Sequence, residues 1–175
     1  MSRQLHQRIR NLTVSAMLSA LGTVLLAVGA FVEVLDLSAA VLASLLCVYA
    51  VIELPRAYPW MIWLATSLAS LLLLPQKTPA MFYALFAGFY PILKQYVERL
   101  PRLPQYLLKF LTLHASLGAF YLLLRIFLPT ELEGGKWMLL ATYALALVCF
   151  VLYDIALTRL ITFYLYRLRE RFHIK

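Results

Sequence analysis

Acidic side chains are scarce in this chain: eight Asp and Glu against 16 Lys and Arg in 175 residues, with charged residues of both signs only 14% of the total. Cysteine is scarcer still. Cys47 and Cys149 both sit inside apolar runs, which excludes a disulfide framework, and as small, soft residues they need no further role. There is no H-E-x-x-H and no pair of Cys or His at ligand spacing, so no metal site is expected. A Gly-rich phosphate loop is missing too, so the chain is not expected to bind ATP itself. No nucleophile and base can be paired by spacing. The chain is read as a non-enzyme without a cofactor.

What it has in abundance is apolar surface. Hydrophobic residues make up 63% of the chain and the mean hydropathy is +0.82. A small soluble domain has too little interior to hide so much, so the solvent that suits it is lipid. The net charge of +8 is spread in clusters that each abut an apolar run. A nucleic-acid binder gathers its basic residues on one folded face. Here the charge reads as attraction to anionic lipid.

Six apolar runs are expected as membrane spans: about Leu12–Val32, Leu37–Leu54, Tyr58–Leu74, Ala80–Val97, Gln105–Leu128 and Trp137–Tyr166. The first is too long for a signal-peptide core and is read as retained. Continuous apolarity excludes a β-barrel, whose strands alternate. The gaps between spans are short and differ in charge. Arg3, Arg8, Arg10, Arg56, Lys94, Arg99, Arg102, Lys109, Arg159, Arg167, Arg169, Arg171 and Lys175 fall on the side of the N-terminus; only Lys77, Arg125 and Lys136 fall on the other. Basic short loops mark the cytoplasmic face. The expected fold is therefore an all-α integral membrane protein, a single bundle of six transmembrane helices over residues 1–175 with both termini cytoplasmic. Pro91, inside the fourth span, removes a backbone donor and is expected to kink it.

Candidate functional residues follow from what lipid penalises. On the first span Ala16, Ala20, Thr23, Ala27 and Ala30 recur four and three apart on one face, widened by Ser15, Ser19, Gly22 and Gly29. Small residues let helices approach closely in lipid. That face serves either internal packing or the docking of a separate membrane subunit. Ala39, Ala43, Cys47 and Ala50 repeat the theme on the second span and are read as internal. Arg125, near the outer end of the fifth span, either snorkels to headgroups or lines an outward pocket for a carboxylate or phosphate. Glu33 stands at the outer mouth of the first helix, as a solvated loop carboxylate or a pocket group.

Asp154 is expected to pair with an arginine or a tyrosine hydroxyl. His114 and Ser116 diverge by about 200° around their helix and form no catalytic pair; an interhelical hydrogen bond is expected of His114. Phe82, Phe86 and Phe89 share one face of the fourth span, with Tyr83 and Tyr90, seven apart, on an adjacent one. They either face lipid or form a wall for a planar ligand, with Tyr83 nearest the outer mouth. Trp137 anchors the sixth span. A ligand pocket among the outer helix ends would draw on Glu33, Tyr83, Arg125 and Trp137.

Length, six spans, inward termini and the segment Ala16-Met17-Leu18-Ser19-Ala20 resemble the substrate-binding (S) component of energy-coupling factor (ECF) transporters. The resemblance implies a bacterial cell-membrane protein that captures a vitamin-like micronutrient from outside. It also implies that Ala16 and Ala20, in an A-x-x-x-A arrangement, dock on a transmembrane coupling subunit that carries cytosolic ATPases. In size and topology the chain is also similar to the shape-determining membrane protein MreD, which implies a non-transporting scaffold in cell-envelope organisation.

Overall fold

Helix is the only regular structure among the described residues, as continuous apolar runs demand when each backbone group must find its partner within its own segment. The computed structural model describes residues 2–127 and 136–168, which divide into two compact units, Met1–Phe120 and Tyr121–Lys175. Among the described residues four helices are long and apolar enough to cross a membrane: Gln4–Phe31, Asp36–Glu53, Arg102–Leu123 and Leu140–Tyr166. The third expected span is an apolar helix of 17 residues, and the fourth is helical but broken.

In the first unit, α1 (Ser2–Phe31) runs for 30 residues. At 1.5 Å per residue that is about 45 Å, against a hydrocarbon core of about 30 Å. The helix thus starts well before the apolar run at Leu12, because helical hydrogen bonding continues through polar residues that hydropathy leaves out. A single 3-10 turn, Glu33–Leu35, leads into α2 (Asp36–Glu53), whose first turn carries Asp36 where the helix dipole favours an acid. Helix α2 ends at Leu54, in extended conformation before Pro55. Helix α3 (Ala57–Leu73) stops before Pro75, and Lys77 Nζ donates to the carbonyls of Leu71 (2.7 Å) and Leu74 (2.5 Å). Lys77 is thus spent on capping α3.

The fourth span is α4 (Thr78–Phe82), a π turn (Tyr83–Ala87) and α5 (Phe89–Val97). The expected kink at Pro91 appears here as a π turn one step earlier in the chain. Gly88 N–H reaches Tyr83 O at 2.8 Å, and Pro91, which has no N–H, cannot bond the carbonyl of Ala87, the last residue of that turn. Helix α6 (Arg102–Phe127) begins before the Gln105 expected from hydropathy, with Pro104 in its first turn, where a missing N–H costs no hydrogen bond.

The core of this unit is built largely from small residues. Leu26 and Ala30 of α1 meet Ala40 and Ala43 of α2, Leu74, Ala80 of α4, and Tyr83 and Ala87 of the π turn. A methyl added at Gly29 would lie 2.6 Å from Ala39 Cβ, and one at Gly22 would lie 3.1 Å from Thr66 Cγ2. The α1 backbone therefore approaches α2 and α3 as closely as side chains allow. Without a hydrophobic drive between helices in lipid, such contact supplies the dispersion that holds them.

In the second unit, α7 (Lys136–Phe163) continues into a π turn, Tyr164–Leu168. The Thr158 and Thr162 hydroxyls donate to the carbonyls of Asp154 and Thr158, each at 2.8 Å, which lets threonine sit in an apolar helix. Of the polar outer loop expected over Pro129–Lys136, residues 129–135 lie outside the described residues, as does the expected inner tail Arg167–Lys175 from residue 169 onward.

Candidate functional site

Around α1 the small residues divide between two faces. Ser15, Gly22, Gly29 and Ala30 are buried against the chain's own helices, and Thr66 Oγ1 donates to Ser19 O at 3.5 Å. Ala16 and Ala20 are exposed, beside the exposed Met17 and Leu21. Ser15, Gly22 and Gly29, which widen the sequence pattern, pack together with Ala27 and Ala30 from it, and the A-x-x-x-A pair is left uncovered.

Tyr83 is 1% exposed, deep in the core. Its ring lies over Gly88, where an added Cβ would stand 2.6 Å from Tyr83 Cζ and 2.8 Å from Trp63 Cδ1. Glu33 opens the 3-10 turn after α1, as its place at a helix mouth requires, but its side chain lies outside the described residues. The same holds for the side chain of Arg125, whose backbone is in α6. Trp137, in the first turn of α7, is 84% exposed. Glu33 and Tyr83 belong to the first unit, Arg125 and Trp137 to the second, and each is described within its own.

The fourth span holds features that the sequence reading did not assemble. Phe82, Phe86, Tyr90, Lys94 and Glu98, each four residues from the next, form a ladder. Phe82 and Phe86 have ring centroids 5.6 Å apart, and Phe86 stacks on Tyr90 at 5.5 Å. Lys94 Nζ stands 5.9 Å from the Tyr90 centroid and 3.2 Å from Glu98 Oε1. Lys94 is only 1% exposed, so an ammonium expected on the inner side of the fourth span is enclosed beside aromatic and carboxylate groups that offset its desolvation. The four-residue spacing of Tyr90, Lys94 and Glu98 was the available signal.

Phe89 leaves that face. The π turn adds a residue to the register, and Phe89 packs on Trp60 and Trp63 of α3, each pair of centroids 5.8 Å apart. Trp63 Nε1 donates to Ala84 O, and Ser116 Oγ of α6 donates to Leu85 O, both at 3.0 Å. Two carbonyls of the break are thereby satisfied by side chains from neighbouring helices. Ser116 thus makes an interhelical bond of the kind expected of His114. His114 Nδ1 lies 2.8 Å from Phe110 O, within its own helix. Among the described residues no group of His, Cys, Asp or Glu could hold a metal ion.

Compared with known proteins, the chain matches no family model, no curated protein and no solved structure.

Proposed function

We propose that this chain is a multi-pass protein of the bacterial cell membrane, with six spans and both termini inside, acting as the substrate-binding component of an ECF-type transporter. The observation that carries the reading is the uncovered position of Ala16 and Ala20 on α1, while Ser15, Gly22 and Gly29 on the adjoining face are consumed by internal packing. A small-residue surface left free on a membrane-crossing helix suits close docking of another transmembrane helix. The partner would be a coupling subunit bearing cytosolic ATPases, and the cargo a vitamin-like small molecule taken from outside. Glu33 in the first unit, and Arg125 and Trp137 in the second, are each proposed as contacts for it. Tyr83 would join them only if the ring moved off Gly88 and out of the core.

That enclosure of Tyr83 favours a second reading, a non-transporting scaffold of cell-envelope or cell-shape organisation, in which the same α1 face holds a structural partner. A thermal-shift screen of the purified chain against vitamins and metal ions separates the two, since a ligand that binds only the folded state raises its melting temperature. The transporter reading predicts a concentration-dependent rise with one compound class. A flat response across the panel, together with a cell-shape defect on deletion, would favour the scaffold.

A further inference from the structure

The turn between α5 and α6 carries charge that its neighbours leave uncompensated. Its acid, Glu98, is committed to the buried Lys94 at 3.2 Å. That pair is neutral as a whole, so Glu98 does not offset the cations that follow it. Arg99 and Arg102 lie exposed on a turn closed by Arg99 N to Tyr96 O (3.3 Å) and Leu100 N to Val97 O (3.0 Å). Neither guanidinium makes an ion pair or hydrogen bond among the described residues.

Their surroundings are apolar and open. Leu100 is 41% exposed, Leu103 80% and Tyr106 69%. Leucine next to unpaired arginine, with tyrosine one turn on, is the composition of the depth at which acyl chains give way to headgroups. The 26-residue α6 also starts at Arg102 with no acid in its first turn, so its positive end adds to the field of the two guanidiniums. Phosphate, which accepts paired hydrogen bonds from arginine, is the anion that this combination fits.

We propose that the α5–α6 turn binds the phosphate headgroup of an anionic phospholipid through Arg99 and Arg102, with Leu100, Leu103 and Tyr106 against its acyl chains. The site rests on the membrane-crossing character of the helices and does not depend on the transport reading. It gives the basic charge at this turn a lipid to hold as well as a topology to set.

The test uses the full chain in detergent, titrated with phosphatidylglycerol, phosphatidylcholine or inorganic phosphate, with bound lipid read by native mass spectrometry and stability by thermal unfolding. Phosphatidylglycerol is expected to be retained preferentially and to raise the melting temperature. R99Q/R102Q should weaken that retention about tenfold or more, while R56Q, at an exposed single arginine in another turn, leaves it unchanged. R99K/R102K, which keeps the charge but loses the paired hydrogen bonds, should fall between, and serves if the glutamine variant does not fold. Equal retention of the two lipids, full retention by R99Q/R102Q, or an equal rise with inorganic phosphate alone would each overturn the proposal.

Discussion

Trp63 Nε1 donates to the backbone carbonyl of Ala84 at 3.0 Å, so a side chain of α3 completes the hydrogen bonding of a break in the neighbouring span. Ser116 does the same for Leu85 from α6. Both bonds fall on the π turn that precedes Pro91, where the backbone ladder changes register and side chains of neighbouring helices reach its carbonyls.

Replacing Trp63 by phenylalanine keeps most of the ring packing and deletes the donor. An unsatisfied buried carbonyl costs about 1–3 kcal/mol, so W63F should lower the thermal midpoint clearly. W60F, which changes a ring of the same aromatic cluster without touching Ala84, should lower it less. Thermal unfolding of the two variants side by side reads the difference; equal shifts would mean that only ring packing matters.

Two glycines with opposite surroundings give a second comparison. At Gly88 a methyl collides with the Tyr83 and Trp63 rings at 2.6 and 2.8 Å, whereas at Gly118 nothing lies within 4 Å. G88A should destabilise by about 1–3 kcal/mol through overpacking. G118A should be neutral, or stabilising by up to about 1 kcal/mol through helix propensity. Chemical denaturation in mild detergent checks both.

Much of this architecture is legible in the residues, and the exceptions have identifiable physical causes. Apolar runs locate the helices because lipid-facing segments must be both apolar and internally bonded. They misplace ends, as at Ser2 and Arg102, because helix geometry tolerates polar residues and a first-turn proline that hydropathy treats as loop. Pro91 announces a distortion but not its form: a straight helix puts Phe89 with Phe82 and Phe86, and the extra residue of the π turn sends it to Trp60 and Trp63. Small residues on α1 mark a close-packing helix, yet which face packs internally depends on partners that spacing alone does not specify, so Gly22 and Ala20 look alike in the sequence. A charge map puts Lys94 on the inner side of its span but does not show that it is enclosed, because sequence position has no depth.

The Lys94–Glu98 pair supplies a third prediction. Glu98 is the more exposed partner at 38%, so water can replace its lost counter-ion, whereas Lys94 is enclosed. E98Q, which weakens a carboxylate contact to an enclosed ammonium, should cost about 1.5–3 kcal/mol. K94M, which removes the enclosed charge and keeps an unbranched apolar stem, should cost less. Melting curves of the two variants give the order, and the reverse order would show that the Lys94 contacts outweigh its desolvation.

On the proposed reading, α1 holds its own fold with one face and a partner with the other. The measurement is affinity purification of the native membrane complex with A16L/A20L beside wild type, with thermal stability recorded for each. Ala16 and Ala20 are exposed, so the double variant should keep its melting temperature within the roughly 0.5 kcal/mol typical of surface substitutions. It should also lose the transmembrane subunit and ATPases that the proposed reading expects the wild-type chain to bring down. A variant that still carries the same partners at full yield, or a wild-type chain that brings down none, would contradict the claim.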